Sequence, residues 1–231
     1  MQHGIERFRH IAIEGPIGVG KTTLARRMGR ALGAELMLER PEENAYLERF
    51  YADMPGYAFQ VQLAFLFQRL KQVRRASQPG MFDAALVSDF IFAKDALFAR
   101  MNLSDEEFKL YAGMYAQAAP QVAVPDLVIW LQASPGTLLA RVRRRAIPME
   151  QAIDLAYLQR LCDTYVEFFH AFGDAPVLAV GTEQFEAQLL GALVVLNPAD
   201  RDDHFAQLVE RIAAFRGPRE FFNSHVELPL G

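Results

Sequence analysis

The sequence has little cysteine and no long apolar segment. Its 231 residues include one cysteine, Cys162, which excludes an internal disulfide and favours a reducing compartment. Cys162 lies in a helical pattern without a recognisable thiolate-stabilising neighbour, so we interpret it as a small core residue. The longest apolar run, Leu189 to Leu196, is far shorter than the roughly 20 residues of a membrane span, and the first residues lack a secretory signal. We therefore expect a soluble, cytoplasmic protein.

An excess of charge of one sign is also absent. The formal net charge is -4 and the two signs are interleaved, which argues against a nucleic-acid polymer or an anionic membrane as the main partner. Any polyanion bound by this protein must therefore be met by a local cluster of cations. The N-K-x-D tetrapeptide that reads guanine in GTPases does not occur.

Short apolar runs alternate with longer segments of helical period, the pattern of a parallel sheet with helical crossovers. The length and the 52% of hydrophobic residues suffice for one α/β domain, which we place at residues 1–216, followed by a C-terminal tail at 217–231. A doubly wound sheet of five strands is predicted from the segments RHIAIE, ELMLE, AALVSD, DLVIWLQ and PVLAVG.

A phosphate-binding loop follows the first strand candidate. Its glycines and lysine match G-x-x-x-x-G-K-[ST] between a strand and a helix, the context in which the motif holds a nucleoside triphosphate. Glycines let backbone N–H groups point at phosphate oxygens, the lysine reaches the terminal phosphates, and the first threonine hydroxyl can bind Mg²⁺. We expect ATP and Mg²⁺ to be bound by Gly15, Gly18, Gly20, Lys21, Thr22 and Thr23.

Two carboxylates end neighbouring strand candidates. Glu39, after the second strand, is placed to accept a proton from an acceptor hydroxyl, although by itself a glutamate there is more typical of a solvated charge before a loop. Asp89, after the third strand, suits Mg²⁺ or caps a helix. Farther along, Phe59 and Gln60 could offer a flat face and an amide to a nucleobase, whereas Phe65 and Phe67 are assigned to the helix core.

Arginines crowd a later helical segment that breaks at Pro148. Arg141 and Arg145 are four residues apart and share a helix face, so both can point at a triphosphate, where they would stabilise charge on the transferring phosphoryl group. Arg143 and Arg144 are assigned to the solvated face. We call residues 141–150 the lid.

The ordered set GPIGVGKTT, LERPEENAYLERFY, AFQ and RVRRRAIPMEQAIDLAYL resembles the bacterial deoxynucleoside kinases of the deoxyadenosine and deoxyguanosine kinase type. The resemblance extends to about residue 215. It implies a P-loop kinase fold with an arginine-bearing lid, a homodimer, and transfer of the ATP γ-phosphoryl group to the 5′-hydroxyl of a deoxynucleoside, preferably a purine, for nucleotide salvage.

The resemblance also assigns roles to individual positions. Glu39 matches the family's base, and Lys21, Arg141 and Arg145 its catalytic cations. The positions that would contact the nucleoside are Tyr51 and Glu150 at the sugar 3′-hydroxyl, and Gln60, Phe59 and Phe98 at the nucleobase.

Two positions depart from the family pattern. Ile147 stands where a further lid arginine is common, which predicts more reliance on Arg145. Phe90 follows Asp89 where an arginine is usual; Lys94 could substitute for that cation, or it could be an exposed helix lysine.

Two other functions remain open from the residues. A nucleoside monophosphate kinase of the thymidylate kinase type also has the loop and an arginine lid, but it needs cations for the acceptor's phosphate, and only Arg40 and Arg49 are close to Glu39 in sequence. A non-catalytic ATP-binding protein would need neither Glu39 nor the lid arginines.

Overall fold

The computed structural model describes residues 4–76, 85–119, 122–182 and 202–222. These residues form a parallel sheet with helices packed around it, in the strand order β2-β3-β1-β4-β5-β6. The strands are β1 (His10–Glu14), β2 (Glu35–Met37), β3 (Leu86–Ser88), β4 (Leu127–Gln132), β5 (Val177–Gly181) and β6 (Arg219–Phe222).

The prediction of five strands is wrong, because the sheet formed by the described residues has six. Strand β6 comes from the segment that the sequence analysis left as a tail, and it pairs with β5 from Val177↔Arg219 to Val180↔Phe222. It has four residues and lacks an apolar run, so the hydrophobic pattern does not reveal it. Backbone pairing at the edge of the sheet, which needs no particular side chains, holds it in place.

The helices of the described residues connect these strands. They are α1 (Lys21–Leu32), α2 (Leu47–Ala52), α3 (Met54–Ala76), α4 (Lys94–Asn102), α5 (Asp105–Ala118), α6 (Pro135–Arg145), α7 (Leu155–Ala171) and α8 (Asp202–Ala214). A capping box formed by Ser104 and Glu107 opens α5, and the αL residue Gly33 ends α1. After the break at Pro148, residues Pro148–Ala152 form a 3-10 helix, and α7 begins at Leu155 with the Asp154 side chain as its cap.

The core lies around the central strands. Every residue of Leu127–Leu131 in β4 is buried, and Trp130 stacks on Phe169 of α7 with ring centroids 4.6 Å apart. Cys162 packs against this core, in agreement with its interpretation as a small core residue. Because β1, β3 and β4 are adjacent and parallel, their carboxyl ends lie together at one edge, where ligands of open α/β sheets bind.

In the described part of the chain, no helix has both the length and the apolar character that crossing a bilayer requires. The apolar run Leu189 to Leu196 lies outside the described residues.

Candidate active site

The glycine-rich loop connects β1 directly to the N-terminus of α1. Gly20 adopts a left-handed conformation as the residue before α1, and the first-turn backbone N–H groups face outward from the helix end. Lys21 folds back so that its Nζ donates to the carbonyl oxygens of Gly15 at 2.7 Å and Pro16 at 3.1 Å. Burial, and secondarily the nearby charge of Lys94, lower the pKa of Lys21 to about 8. An anion bound in the loop would favour the charged form of this lysine.

Two glycines in the loop permit close backbone approaches. A Cβ at Gly15 would lie 2.4 Å from the carbonyl oxygen of Leu131 in β4, and its φ of +148° is strained for other residues. A Cβ at Gly18 would lie 3.1 Å from Val142 and 3.2 Å from the carbonyl oxygen of Leu138, both in α6. The loop is therefore pressed between the sheet and the arginine-bearing helix.

A cavity of about 390 Å³ opens in front of this loop, a volume suited to small-molecule ligands. Among the residues proposed from the sequence, those lining it are Gly18, Gly20, Lys21, Thr22, Thr23, Glu39, Tyr51, Asp89, Phe98, Arg141, Arg145 and Glu150. Gly15 is not part of the lining, but its carbonyl oxygen accepts from Nζ of Lys21, a lining residue. The structure thus brings most of the proposed residues into one cavity.

Glu39 lies two residues after β2, where two cations hold its carboxylate. The Nε of Arg69 donates to Oε1 at 2.9 Å, and the Nζ of Lys94 donates to Oε2 at 3.2 Å. Burial favours a higher pKa for Glu39, but the charges of Arg69 and Lys94 outweigh it and hold the pKa well below its usual value. The carboxylate is ionised and retains 18% side-chain exposure toward the cavity.

Thr22 and Asp89 meet beside the phosphate loop. The Thr22 hydroxyl donates to Oδ2 of Asp89 at 2.5 Å, while Oδ1 accepts from the backbone N–H of Glu39 at 2.7 Å. A hydroxyl and a carboxylate are oxygen ligands of the kind that Mg²⁺ prefers, and Mg²⁺ usually takes only one or two carboxylates beside waters and phosphates. The pair therefore fits a magnesium ion shared with a bound triphosphate.

The lid arginines have different partners. Arg145 forms an ion pair with Glu150, a residue that is 9% exposed. Arg141 donates to the backbone carbonyl of Thr182 at 2.8 Å and to its hydroxyl at 3.0 Å, so it ties α6 to the residue after β5.

The remaining two arginines of α6 also differ from each other. Arg144 is exposed, as predicted, but it also lines the cavity. Arg143 lies outside the cavity lining and donates to the carbonyl oxygens of Gln151 at 2.5 Å and Ile153 at 3.3 Å, so it stabilises the turn after α6.

Tyr51 and Phe98 stand on the walls of the cavity, on α2 and α4. Burial, then the nearby Tyr157 and Glu150, raise the pKa of Tyr51, so its hydroxyl stays protonated and can donate. The Phe98 ring lies edge-on to Tyr165, with centroids 6.2 Å apart.

Phe59 and Gln60 do not line the cavity. Gln60 is exposed on α3, and Phe59 packs against a second core cluster around Leu66 and Tyr111. Two residues farther along, Gln62 is 3% exposed and forms part of the cavity wall, as does Phe65, which the sequence analysis assigned to the helix core. Two residues farther along an α-helix, the side chain points about 200° away. Gln60 therefore faces solvent, whereas Gln62 faces the cavity.

Phe67, assigned to the helix core, is instead 59% exposed. The same helical rotation accounts for this difference, because Phe65 and Phe67 lie on nearly opposite sides of α3.

Arg69, which the sequence analysis did not propose, organises the acceptor side. It is 3% exposed and forms ion pairs with both Glu39 and Asp95, whose side chains converge on its guanidinium. Burial raises the pKa of Asp95 to about 6 against the opposing charge of Arg69. An arginine seven residues after Gln62 lies on the same helix face, and this spacing is the signal that could have found it.

A phosphate loop facing a strand-end carboxylate, with a cation-rich helix beside both, defines a P-loop phosphotransferase. The deoxynucleoside kinase family model matches residues 11–191. The chain is 35% identical over 206 residues to deoxyguanosine kinase from Bacillus subtilis (strain 168), covering 88% of this chain and 94% of that protein. It is 34% identical over 180 residues to deoxyadenosine kinase from Dictyostelium discoideum, covering 76% of this chain and 73% of that protein.

A solved structure of deoxyadenosine kinase from M. mycoides with bound dATP superposes with a TM-score of 0.67 at 28% identity, covering 74% of this chain and 90% of that chain. The chain belongs to the deoxynucleoside kinase family, whose members phosphorylate deoxynucleosides. The fold and the reaction class expected from the resemblance are confirmed.

Proposed function

We propose that the protein transfers the γ-phosphoryl group of ATP to the 5′-hydroxyl of a purine deoxynucleoside, giving the 5′-monophosphate for nucleotide salvage. The observation that carries this proposal is the placement of the ionised Glu39 across one cavity from Lys21 and the phosphate loop. The carboxylate can accept a hydrogen bond from a sugar hydroxyl, whereas it would repel the phosphate of a nucleotide acceptor.

Glu39 orients the attacking hydroxyl. A carboxylate with so low a pKa is a weak base toward a free alcohol, but phosphoryl transfer passes through a loose transition state with little early bonding. The alcohol becomes strongly acidic only as its oxygen bonds to phosphorus, and its proton then passes to Glu39 late in the transfer. The carboxylate therefore contributes chiefly by alignment and by receiving the proton at the end.

Cations on the other side of the cavity receive the negative charge. Lys21 lies at the phosphate loop, and Arg141 and Arg145 reach the cavity from α6. Donors fixed toward the transferring group stabilise charge that develops in the transition state. Thr22 and Asp89 would hold Mg²⁺, which would neutralise part of the negative charge of the phosphates.

Sugar and base contacts come from the remaining walls. Tyr51 and Glu150 would bind the 3′-hydroxyl as donor and acceptor, and Phe98 would pack on the base. The carbonyl oxygen Oε1 of Gln62 is buried without a hydrogen-bond partner among the described residues, so it can accept from an exocyclic amino group of the base. The named activities of the relatives, deoxyguanosine and deoxyadenosine kinase, favour a purine.

The proposal is tested with Glu39→Gln and the matched control Glu42→Gln, an exposed glutamate three residues later. With deoxyadenosine, deoxyguanosine and deoxycytidine as acceptors and Mg²⁺-ATP as donor, we expect purines to react best. Glu39→Gln should lower kcat by about 10²- to 10⁴-fold while nucleoside binding persists. Unchanged turnover in Glu39→Gln, or no turnover of any deoxynucleoside by the folded parent, would refute the proposal.

We propose that the protein is a homodimer. Phe67 of α3 is 59% exposed and Leu110 of the adjacent α5 is 56% exposed, so neighbouring helices present apolar side chains to solvent. Light scattering should give a mass near twice the 26.0 kDa of the chain, and Phe67→Glu should shift it toward the monomer. A monomeric parent would refute this assembly.

A further inference from the structure

The buried lysine at the start of α4 is not used by the mechanism above. Lys94 is the first residue of α4, and its side chain is only 3% exposed. Burying an ammonium group costs several kcal/mol unless carboxylates compensate for it. Two carboxylates do so: Oε2 of Glu39 accepts from Nζ at 3.2 Å, and Oε2 of Glu14 lies 3.7 Å from Nζ.

The two oxygens of Glu39 are held by different cations. Arg69 donates to Oε1 from one side of the carboxylate, and Lys94 donates to Oε2 from the other. A carboxylate held at one oxygen can still rotate about its terminal torsion, which is broad and roughly two-fold. Contacts at both oxygens fix the plane of the carboxylate.

Glu14 links this arrangement to the phosphate loop. Its Oε1 accepts from the backbone N–H of Gly15, the first loop glycine, and from the hydroxyl of Tyr165, each at 2.8 Å. Its Oε2 accepts from the backbone N–H of Ile91 at 3.0 Å. With its orientation fixed in this way, Glu14 provides a rigid anchor for Lys94 between the donor side and the acceptor side of the cavity.

The position that carries an arginine in the family pattern does not provide this cation. Phe90 is 1% exposed and lies outside the lining of the active-site cavity, whereas Lys94 lies within it. The alternative of an exposed helix lysine, left open by the sequence, is wrong.

We propose that Lys94 is a positioning residue for phosphoryl transfer: anchored by Glu14, it fixes the orientation of Glu39 toward the acceptor hydroxyl. This inference rests on the proposed role of Glu39. It implies that the positive charge of residue 94, and not its bulk, is what catalysis requires.

The relative kcat values of two variants at residue 94 distinguish a role of its charge from a role of its packing. Lys94→Met keeps an unbranched chain of similar length without the charge, and Lys94→Arg keeps the charge in a larger side chain. We expect Lys94→Met to lower kcat by about 100-fold or more, with KM for the deoxynucleoside and for ATP within about threefold of the parent. Lys94→Arg should retain kcat within about tenfold. Lys109→Met, at an exposed lysine of α5, should match the parent.

A packing role predicts the opposite order, with the apolar Met tolerated better than Arg. The proposal is overturned if Lys94→Met keeps kcat within about threefold of the parent or exceeds Lys94→Arg. Glu39→Gln, assayed in parallel, distinguishes a failure of the proposed role of Glu39 from a failure of the proposed role of Lys94. Full activity in Glu39→Gln removes the proposed role of Glu39, whereas an inactive Glu39→Gln beside an active Lys94→Met removes only the role of Lys94.

Lys94→Met leaves two buried carboxylates with one cation fewer, which lowers the stability of the folded protein. A second variant therefore keeps the proposal testable if Lys94→Met does not fold. Lys94→Gln keeps a hydrogen-bond donor near Glu39 without the positive charge and leaves Glu14 intact. We expect Lys94→Gln to lose about 100-fold in kcat, because the charge at residue 94 holds the Glu39 carboxylate. A kcat of Lys94→Gln within about threefold of the parent overturns the proposal even if Lys94→Met alone does not fold.

Discussion

Arg69 of α3 donates an Nε hydrogen bond of 2.9 Å to Glu39, which lies 30 residues earlier in the chain, two residues after β2. The same guanidinium pairs with Asp95 on α4. One side chain therefore connects α3, the end of β2 and α4, and its loss leaves two carboxylates without their shared partner.

Replacing Arg69 by Met should reduce the free energy of unfolding by about 3–5 kcal/mol, because buried charges lose their compensation. Denaturant titration at neutral pH measures the effect. Arg100→Met is the control, since Arg100 is 65% exposed in its pair with Asp105 and such pairs contribute at most about 1 kcal/mol. Equal losses in the two variants would contradict the assignment of Arg69 as a buried structural cation.

The two glutamines of α3 should differ sharply in their effect on the acceptor. Gln62→Leu removes an amide from the cavity wall and should lower kcat/KM for the preferred deoxynucleoside by about 10- to 100-fold, mainly through KM, since an unmet hydrogen bond costs about 1–3 kcal/mol. Gln60→Leu, at an exposed position, should remain within about twofold. Steady-state kinetics compare them, and a larger effect at Gln60 would restore the assignment made from the sequence.

Binding of ATP should be accompanied by proton uptake by Lys21. With its pKa lowered to about 8, about half of the lysine is neutral at pH 8 and about a tenth at pH 7. A bound triphosphate raises that pKa, so uptake should be larger at pH 8. Titration calorimetry in buffers of different ionisation enthalpy measures it.

Lys21→Arg supplies the control for that experiment, because a guanidinium stays protonated throughout this range. The Lys21→Arg variant should bind ATP without the pH-dependent proton uptake. Equal proton uptake by the parent at pH 7 and pH 8 would show that another group is responsible.

His10 should make stability depend on pH. Burial, opposed by the charge of Asp126, lowers the pKa of His10 to about 4, from an ordinary value of 6.5. In the unfolded chain His10 takes up a proton near pH 6.5, whereas in the folded chain it does so only near pH 4. The contribution of His10 to stability is therefore fully present above pH 6.5 and is lost as the pH falls. The contribution is at most about 3 kcal/mol.

Unfolding titrations between pH 7 and pH 4 check this linkage, and the loss of stability should be steepest at about pH 5, between the two pKa values. The slope should shrink in His10→Gln and persist in His170→Gln, since His170 is exposed. An unchanged slope in His10→Gln would assign the dependence to other groups.

The phosphate loop and the sheet were predictable from the sequence because both are encoded locally. The loop needs glycines and a lysine at fixed offsets, and its strand is a continuous apolar run ending at Glu14. Glu39, Asp89, Arg141 and Arg145 line one cavity, as expected from their positions at strand ends and on a shared helix face, and their chemical roles stay predictions. The short edge strand β6 was missed because it carries no such pattern.

Residues whose surroundings depend on how two helices pack together were harder to predict from the sequence. Whether Gln60 or Gln62 faces the cavity depends on how α3 is rotated against α2 and α4, a tertiary property that a helix with apolar residues on several faces does not reveal. Arg69 and Lys94 resemble ordinary helix cations in the sequence. Only their burial beside Glu39, which requires α3 and α4 to pack together, distinguishes them.

The close approach of Gly18 to α6 limits which parts of the enzyme can respond to a ligand. Leu138 and Val142 lie directly against the loop backbone at Gly18, so the loop and α6 are packed as one unit, and Arg141 is tied to Thr182 on the same side. Beyond Arg145, Ala146 adopts a left-handed backbone conformation with φ of 53° and the chain turns away. Substitutions in the segment after Ala146, which carries Glu150, should therefore affect the acceptor side of the cavity more than the contact between the loop and α6.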